Sequence, residues 1–163
     1  MQPGGGRYII GIDPDADKSG IAVLDTATRT FVRIDALPFA ELLNYAIVLH
    51  NKSDKPLKVY VEAGWLNAGN WHLSRTDSRQ KCAALGVSVG RNQETGRKLI
   101  EMLSYYGVPV EPVRPLVKCW KGRDRKITHA ELSAFADVGG RTNQEERDAA
   151  LIAWEKAGLP IRI

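Results

Sequence analysis

The sequence predicts an α/β protein built on a mixed five-stranded sheet, three antiparallel strands followed by parallel additions, flanked by helices. Three observations carry that expectation. Short β-branched apolar runs alternate with turn residues through the first half, and helical periodicity dominates the second. A helical segment also separates the third run from the fourth, which is the connection a parallel pair of strands requires.

Taken in order, Arg7 to Ile12 is β-branched and apolar and fits a buried strand. Asp13-Pro14-Asp15-Ala16-Asp17-Lys18-Ser19-Gly20 is turn chemistry, with Asp15 and Asp17 expected as solvated turn residues. Ile21 to Leu24 and Thr30 to Ile34 complete an antiparallel meander. Phe39 to Leu49 has apolar residues at near-helical period and crosses back over the sheet to a fourth strand, Val59 to Glu62. A long helical region follows from about Ser78 to Tyr106, with a break expected near Gly86 to Gly90 and a stop at Gly107. Val108 to Val113 is a short edge strand, because Pro109 cannot donate to a central ladder. Thr128 and Glu131 have capping-box spacing and open a helix to about Ala136. Asn143 and Glu146 repeat that spacing at the start of the last helix.

At 163 residues the chain suits one domain, expected over residues 7–163 behind a flexible lead at 1–6. Its 44% hydrophobic and 26% charged residues are those of an ordinary globular protein. No apolar stretch reaches the roughly 18 residues of a membrane span, and no charged-then-apolar leader precedes the first strand. Cys82 and Cys119 are too few for a disulfide framework and read as reduced thiols in a cytoplasmic setting. The net charge of +4 only nudges the balance toward a polyanionic partner. Its distribution says more: Arg114, Lys118, Lys121, Arg123, Arg125 and Lys126 face only Asp124 in one stretch, although such a run also suits a solvated loop.

Three acidic residues sit in chemically informative places. Asp13 ends the first apolar run, where open α/β sheets bind ligands, though Asp-Pro also starts turns. Glu62 ends the fourth run, and a Glu in a buried run needs a partner or a metal. Asp148 directly precedes the apolar run Ala149 to Ala153 on the last helix. Glu145 lies three residues earlier on the same helix face and fits either the site or a helix start, whereas Glu146 is assigned to the cap. Carboxylates converging from strand ends and a facing helix suit hard cations such as Mg²⁺ or Mn²⁺. The three histidines, His50, His72 and His129, show no ligand spacing and read as surface residues.

The ordered set Gly11-Ile12-Asp13-Pro14, Val61-Glu62-Ala63-Gly64-Trp65, Leu85-Gly86-Val87-Ser88-Val89-Gly90, Gly107-Val108-Pro109-Val110 and Asp148 to Ala153 resembles RuvC-type Holliday junction resolvases of the RNase H-like superfamily. The likeness runs from about Tyr8 to Trp154. It implies an RNase H-like fold and a homodimeric, metal-dependent endonuclease that makes paired symmetric cuts in four-way DNA junctions. It also implies two Mg²⁺ ions per active site, with Mn²⁺ as a substitute, held by Asp13, Glu62, Glu145 and Asp148. Trp65 takes the position of an aromatic that stacks at the junction crossover, and its loop favours an exposed ring. Lys118 corresponds to a lysine after the edge strand, with Lys121 and Lys126 as nearby phosphate contacts. Trp71 and Trp120 have no counterpart and read as packing residues, Trp71 being a second stacking candidate. Two departures stand out: Glu145 replaces the more usual Asp, and Asp15-Ala16-Asp17 adds negative charge beside the site. The alternatives are a less structure-selective RNase H-like nuclease and a catalytically inactive branched-DNA-binding module. An actin-like ATPase lacks support, since no glycine-rich phosphate loop is present and the chain is short for two lobes.

Overall fold

The computed structural model describes residues 6–67 and 76–162. The strands are β1 (Tyr8–Asp13), β2 (Ser19–Asp25), β3 (Thr30–Leu37), β4 (Leu57–Glu62) and β5 (Val110–Val113). The helices are α1 (Phe39–Lys52), α2 (Arg79–Tyr105), α3 (His129–Phe135) and α4 (Gln144–Lys156). The sheet order is β3-β2-β1-β4-β5. The β1, β2 and β3 strands form the expected antiparallel meander, and β4 and β5 add in parallel.

The period-2 alternation of a strand decides which face each residue serves. Ile10 and Ile12 of β1, with Val59 and Val61 of β4, pack under α1 and α2 against Leu42, Ala46, Leu99 and Leu103. Ile9 of β1 and Ala22 and Leu24 of β2 pack on the opposite face against Ala149, Ala150 and Ala153 of α4. Gly11 belongs to this second face, and there the helix comes very close. A Cβ at Gly11 would lie 2.2 Å from the Ala149 carbonyl oxygen and 2.8 Å from the Ala153 nitrogen. One at Gly20 would lie 2.0 Å from the Glu145 carbonyl oxygen. The two bare positions let α4 rest directly on the strand backbones.

Both capping boxes form as the sequence predicts, Thr128 with Glu131 and Asn143 with Glu146. Ser78 caps α2 by accepting from the Lys81 amide, and Gly107 stops it at φ +76°. The expected break near Gly86 to Gly90 is corrected, since α2 runs unbroken through both glycines. A helical glycine costs only about 1 kcal/mol relative to alanine, too little to interrupt a long helix. The surface reading of His50 and His129 holds in part. Both are half-buried, and His129 Nδ1 lies 2.8 Å from Thr142 Oγ1. Asp15 is not merely solvated either: it is half-buried, and its Oδ1 accepts from the Asp17 amide at 2.8 Å. Trp120 packs as expected, its ring centroid 6.1 Å from that of Phe135.

At the end of β2, Asp25 is 7% exposed and accepts from Lys55 Nζ at 2.5 Å and from the Ala27 amide at 2.9 Å. The Lys55 hydrogen bond, aided by the Ala27 amide, holds this carboxyl below its ordinary value of 3.8. A depressed carboxyl contributes stability above its unfolded pKa and loses it as the pH falls through the folded one. Asp25→Asn should therefore melt lower than wild type at pH 7, with the two curves converging under acid conditions. A pH series of melting temperatures checks this. A gap that stays constant into acid would contradict it.

Candidate active site

Two strand ends and one helix build the site. The face that carries Ile9 and Gly11 on β1 also carries Asp13, and the face that carries Tyr60 on β4 carries Glu62. The parallel register aligns Ile12 with Val61, so the two carboxylates emerge side by side at the carboxyl edge of the sheet. The α4 helix crosses this face, and its close seating on Gly11 and Gly20 brings Asp148 to the same place. Asp13, Glu62 and Asp148 line one cavity of about 90 Å³, together with Lys118, Lys126 and apolar side chains that include Leu116 and Ile152.

The charges in this cavity are poorly compensated. Burial raises the Asp13 carboxyl well above its ordinary range, and Glu62 and Asp148 raise it further against the opposing Lys126. Burial and then the Asp148 charge push Glu62 up to about 6, with Lys126 and Lys118 opposing. Asp148 is raised by burial too, moderated by Lys126 and by a hydrogen bond from Gln144. Lys126 gives the complementary picture. Desolvation lowers its pKa, but the surrounding carboxylates of Asp148, Asp13 and Glu62 outweigh it and hold the ammonium charged.

Asp148 is held from two sides. Gln144 Nε2 donates to its Oδ1 at 2.8 Å, and Lys126 Nζ lies 3.5 Å from its Oδ2. Arg147 secures the surrounding loops by donating to the carbonyls of Ile127 at 3.0 Å and Thr142 at 2.5 Å. Among the described residues, no three His, Cys, Asp or Glu side chains are grouped tightly enough to hold a metal as they stand. The donor set itself suits a hard divalent cation: carboxylate oxygens in excess, with an ammonium supplying the neutralising charge. Asp13, Glu62 and Asp148 are the residues that could hold one.

The other sequence candidates fall in different places. Glu145 does not line the cavity, although its charge acts on Asp13 and its carbonyl abuts Gly20. Lys118 lines the cavity, whereas Lys121 stays outside it and places its charge beside Glu131. Lys126 is an ion-pair partner of Asp148 rather than a cation projecting freely toward solvent. Trp71 and His72 lie outside the described residues.

Trp65 sits in a 3-10 turn, Gly64–Leu66, directly after β4. The expected exposed ring is corrected, because this tryptophan is half-buried. Its indole rests on Gly96 of α2, where a Cβ would approach Cζ3 to 2.9 Å, and Arg97 lies over the ring at 4.9 Å from its centroid. Arg114 Nη1 pins the turn by donating to the Leu66 carbonyl at 2.8 Å. Sequence reasoning missed Gln144, Arg97 and Gly96, and read Arg114 only as one cation of a basic stretch. Only Gln144 left a local signal, since it stands four residues before Asp148 on one helix face.

A methyl at Gly96 must displace the indole or Pro14, whose Cγ would lie 3.0 Å away. The crowding opposes the gain of roughly 1 kcal/mol that alanine brings to a helix. Gly96→Ala should thus leave the melting temperature nearly unchanged while shifting tryptophan emission to longer wavelength. The shift should vanish in a Trp65→Phe background. An equal shift in that background would place the change at another tryptophan.

No protein-family model matches the chain, and no curated protein matches it either. Eleven chains of solved structures do match. One is T. thermophilus RuvC in complex with a Holliday junction substrate, at 14% sequence identity, a TM-score of 0.51 and 90% coverage of each chain. The fold is the RNase H-like fold of RuvC. At that identity the likeness concerns backbone architecture: the mixed sheet, its strand order and the flanking helices, over nearly the whole length of both chains.

Proposed function

We propose that this chain is a metal-dependent endonuclease that resolves four-way (Holliday) DNA junctions by paired symmetric cleavage. The single observation that carries the reading is the convergence of Asp13, Glu62 and Asp148 in one cavity. It occurs on a fold shared with a RuvC whose structure includes a Holliday junction. In this reading residues 7–163 form one nuclease domain of a cytoplasmic protein of DNA recombination and repair. Among the described residues no helix is long and apolar enough to cross a membrane.

Asp13, Glu62 and Asp148 would hold the divalent ions, and Glu145, one turn earlier on α4 and outside the cavity, would join them as a fourth ligand only by turning toward Asp13. Mg²⁺ or Mn²⁺ ions held there would supply activation of a water and stabilisation of the leaving oxygen in phosphodiester cleavage. Gln144 fixes Asp148, and Lys126 keeps the carboxylates from repelling one another before the ions arrive. Lys118 and Lys121, with Lys126 once it is released from Asp148, attract DNA phosphates. Trp65 stacks on bases at the crossover, a contact worth roughly 1–3 kcal/mol per base.

Paired cuts on a two-fold junction need two sites, so the active form is a homodimer. Support comes from the first half of α2, which buries no side chain before Gly96. Ala83, Ala84 and Val87 are exposed there, Val87 by 61%.

The Lys126–Asp148 ion pair also favours a second reading, a branched-DNA-binding module in which the lysine permanently takes the cation's place. A substrate panel separates the readings. Labelled four-way junction, flap and linear duplex are incubated with the protein in Mg²⁺, Mn²⁺ or EDTA. Nicks confined to the junction and lost in EDTA are the expected result. Equal cutting of all substrates would indicate a less selective RNase H-like nuclease, and binding without cutting would indicate the inactive module.

A further inference from the structure

Asp13 and Glu62 also line a second cavity, of about 200 Å³, whose other walls include Pro14, Gly64 and, from α2, Val89, Asn92 and Gln93. A water occupies roughly 30 Å³ in the liquid, so this space admits far more than one solvent molecule. Its two carboxamides are neighbours in sequence but are used differently. Asn92 is committed to the first turn: its Oδ1 accepts from the Ala16 amide at 2.9 Å, and its Nδ2 lies 3.5 Å from Asp15 Oδ2. Gln93 is half-buried, and its side chain takes no hydrogen bond among the described residues. Its Nε2 is the atom nearest to a Cβ built at Gly64, at 3.7 Å, so the amide lies beside the Trp65 turn.

A spare carboxamide presents donors and an acceptor in one plane. That pattern matches the adjacent N6 donor and N7 acceptor of adenine better than the edge of any other base. Pro14 and Val89 supply apolar surface for a planar ring, and the shared carboxylates place that ring next to the phosphate they would act on. We infer that this second cavity receives the nucleobase adjoining the scissile phosphate and that Gln93 reads it, favouring adenine. The inference rests on the nuclease reading above. It makes Gln93 a specificity-determining residue, distinct from the carboxylates that perform the cut.

The test uses the full chain and four otherwise identical four-way junctions that differ only in the base beside the crossover. Wild type should cut the adenine junction fastest. Gln93→Ala should lose about tenfold at adenine and little at the other bases, flattening the preference. Gly64→Ala puts a methyl at ordinary contact distance from Gln93 and narrows the cavity without a clash. It should slow cleavage beside purines more than beside pyrimidines. Melting temperatures of both variants should match wild type, which separates base reading from folding. Unchanged base ratios in Gln93→Ala, or no base preference in wild type, would overturn the inference while leaving the nuclease intact. A wild type that cuts none of the four would remove the nuclease reading and this inference with it.

Discussion

Asp13→Asn should reduce junction cleavage by roughly a thousandfold or more while leaving junction binding in place. Removing a single electrostatic stabiliser of a transition state typically costs 10²–10³ in rate, and a shared metal ligand sits at the upper end of that scale. In the proposed reading binding rests instead on the lysines and on Trp65, none of which Asp13 touches through a hydrogen bond. The same substitution should stabilise the metal-free protein at neutral pH. Burial and the neighbouring carboxylates raise the Asp13 pKa, so its ionised form opposes folding. The penalty is absent below the unfolded pKa, where the carboxyl is protonated in both states, and grows as the pH rises above it. Glu62 behaves alike, its penalty developing between its ordinary 4.5 and about 6. Asp13→Asn should accordingly melt higher than wild type at pH 7.5 in EDTA, with the gap closing toward pH 4. Wild-type cleavage by this variant, or a lower melting temperature at pH 7.5, would count against the site.

Gly11→Ala should be the most damaging small substitution in the core. Its methyl would meet the Ala149 carbonyl oxygen at 2.2 Å and the Ala153 nitrogen at 2.8 Å, both helix backbone atoms that cannot swing aside. Six consecutive buried residues, Ala149 to Trp154, fix α4 at this contact, so the whole helix must move. Overpacking commonly costs about 1–3 kcal/mol, and a backbone clash belongs at or above the top of that range. For a chain of this size that corresponds to a fall of roughly 6–12 °C in melting temperature. Asp148 travels with the helix, so cleavage should fall even at temperatures where the variant remains folded. Thermal melts and single-turnover cleavage at 20 °C read the two effects separately. An unaffected melting temperature would mean that α4 is not seated where the structure places it.

Much of this architecture was legible because its signals are local. The continuous apolar run before Asp13 and the run Val59 to Glu62 mark strands, and the period of two places Asp13 with Ile9 and Gly11 and Glu62 with Tyr60, the parallel register then bringing both to one face. The two capping boxes depend on residues three apart and formed as read. Interactions between distant segments were less accessible. Nothing in the neighbourhood of Trp65 announces that Gly96 makes room for its ring, or that Arg97 covers it. Lys126 reads as one more cation in a basic stretch until the fold sets it against Asp148. The unbroken α2 shows the opposite error, in which a local penalty at Gly86 and Gly90 was given more weight than a long helix allows it. Glu145 sits between these cases: its helix face is readable, but its distance from the cavity depends on how α4 rests on Gly20.

The central claim is that Asp13, Glu62 and Asp148 form a divalent metal site that Lys126 neutralises until the metal binds. Calorimetric titration of Mn²⁺ into the metal-free protein, wild type beside Asp13→Asn, tests it most directly. Saturable binding to wild type, accompanied by a rise in melting temperature and abolished in the variant, is the expected result. No saturable binding to wild type, or equal binding to both proteins, would contradict it and leave the Lys126–Asp148 ion pair as the permanent occupant of the cavity.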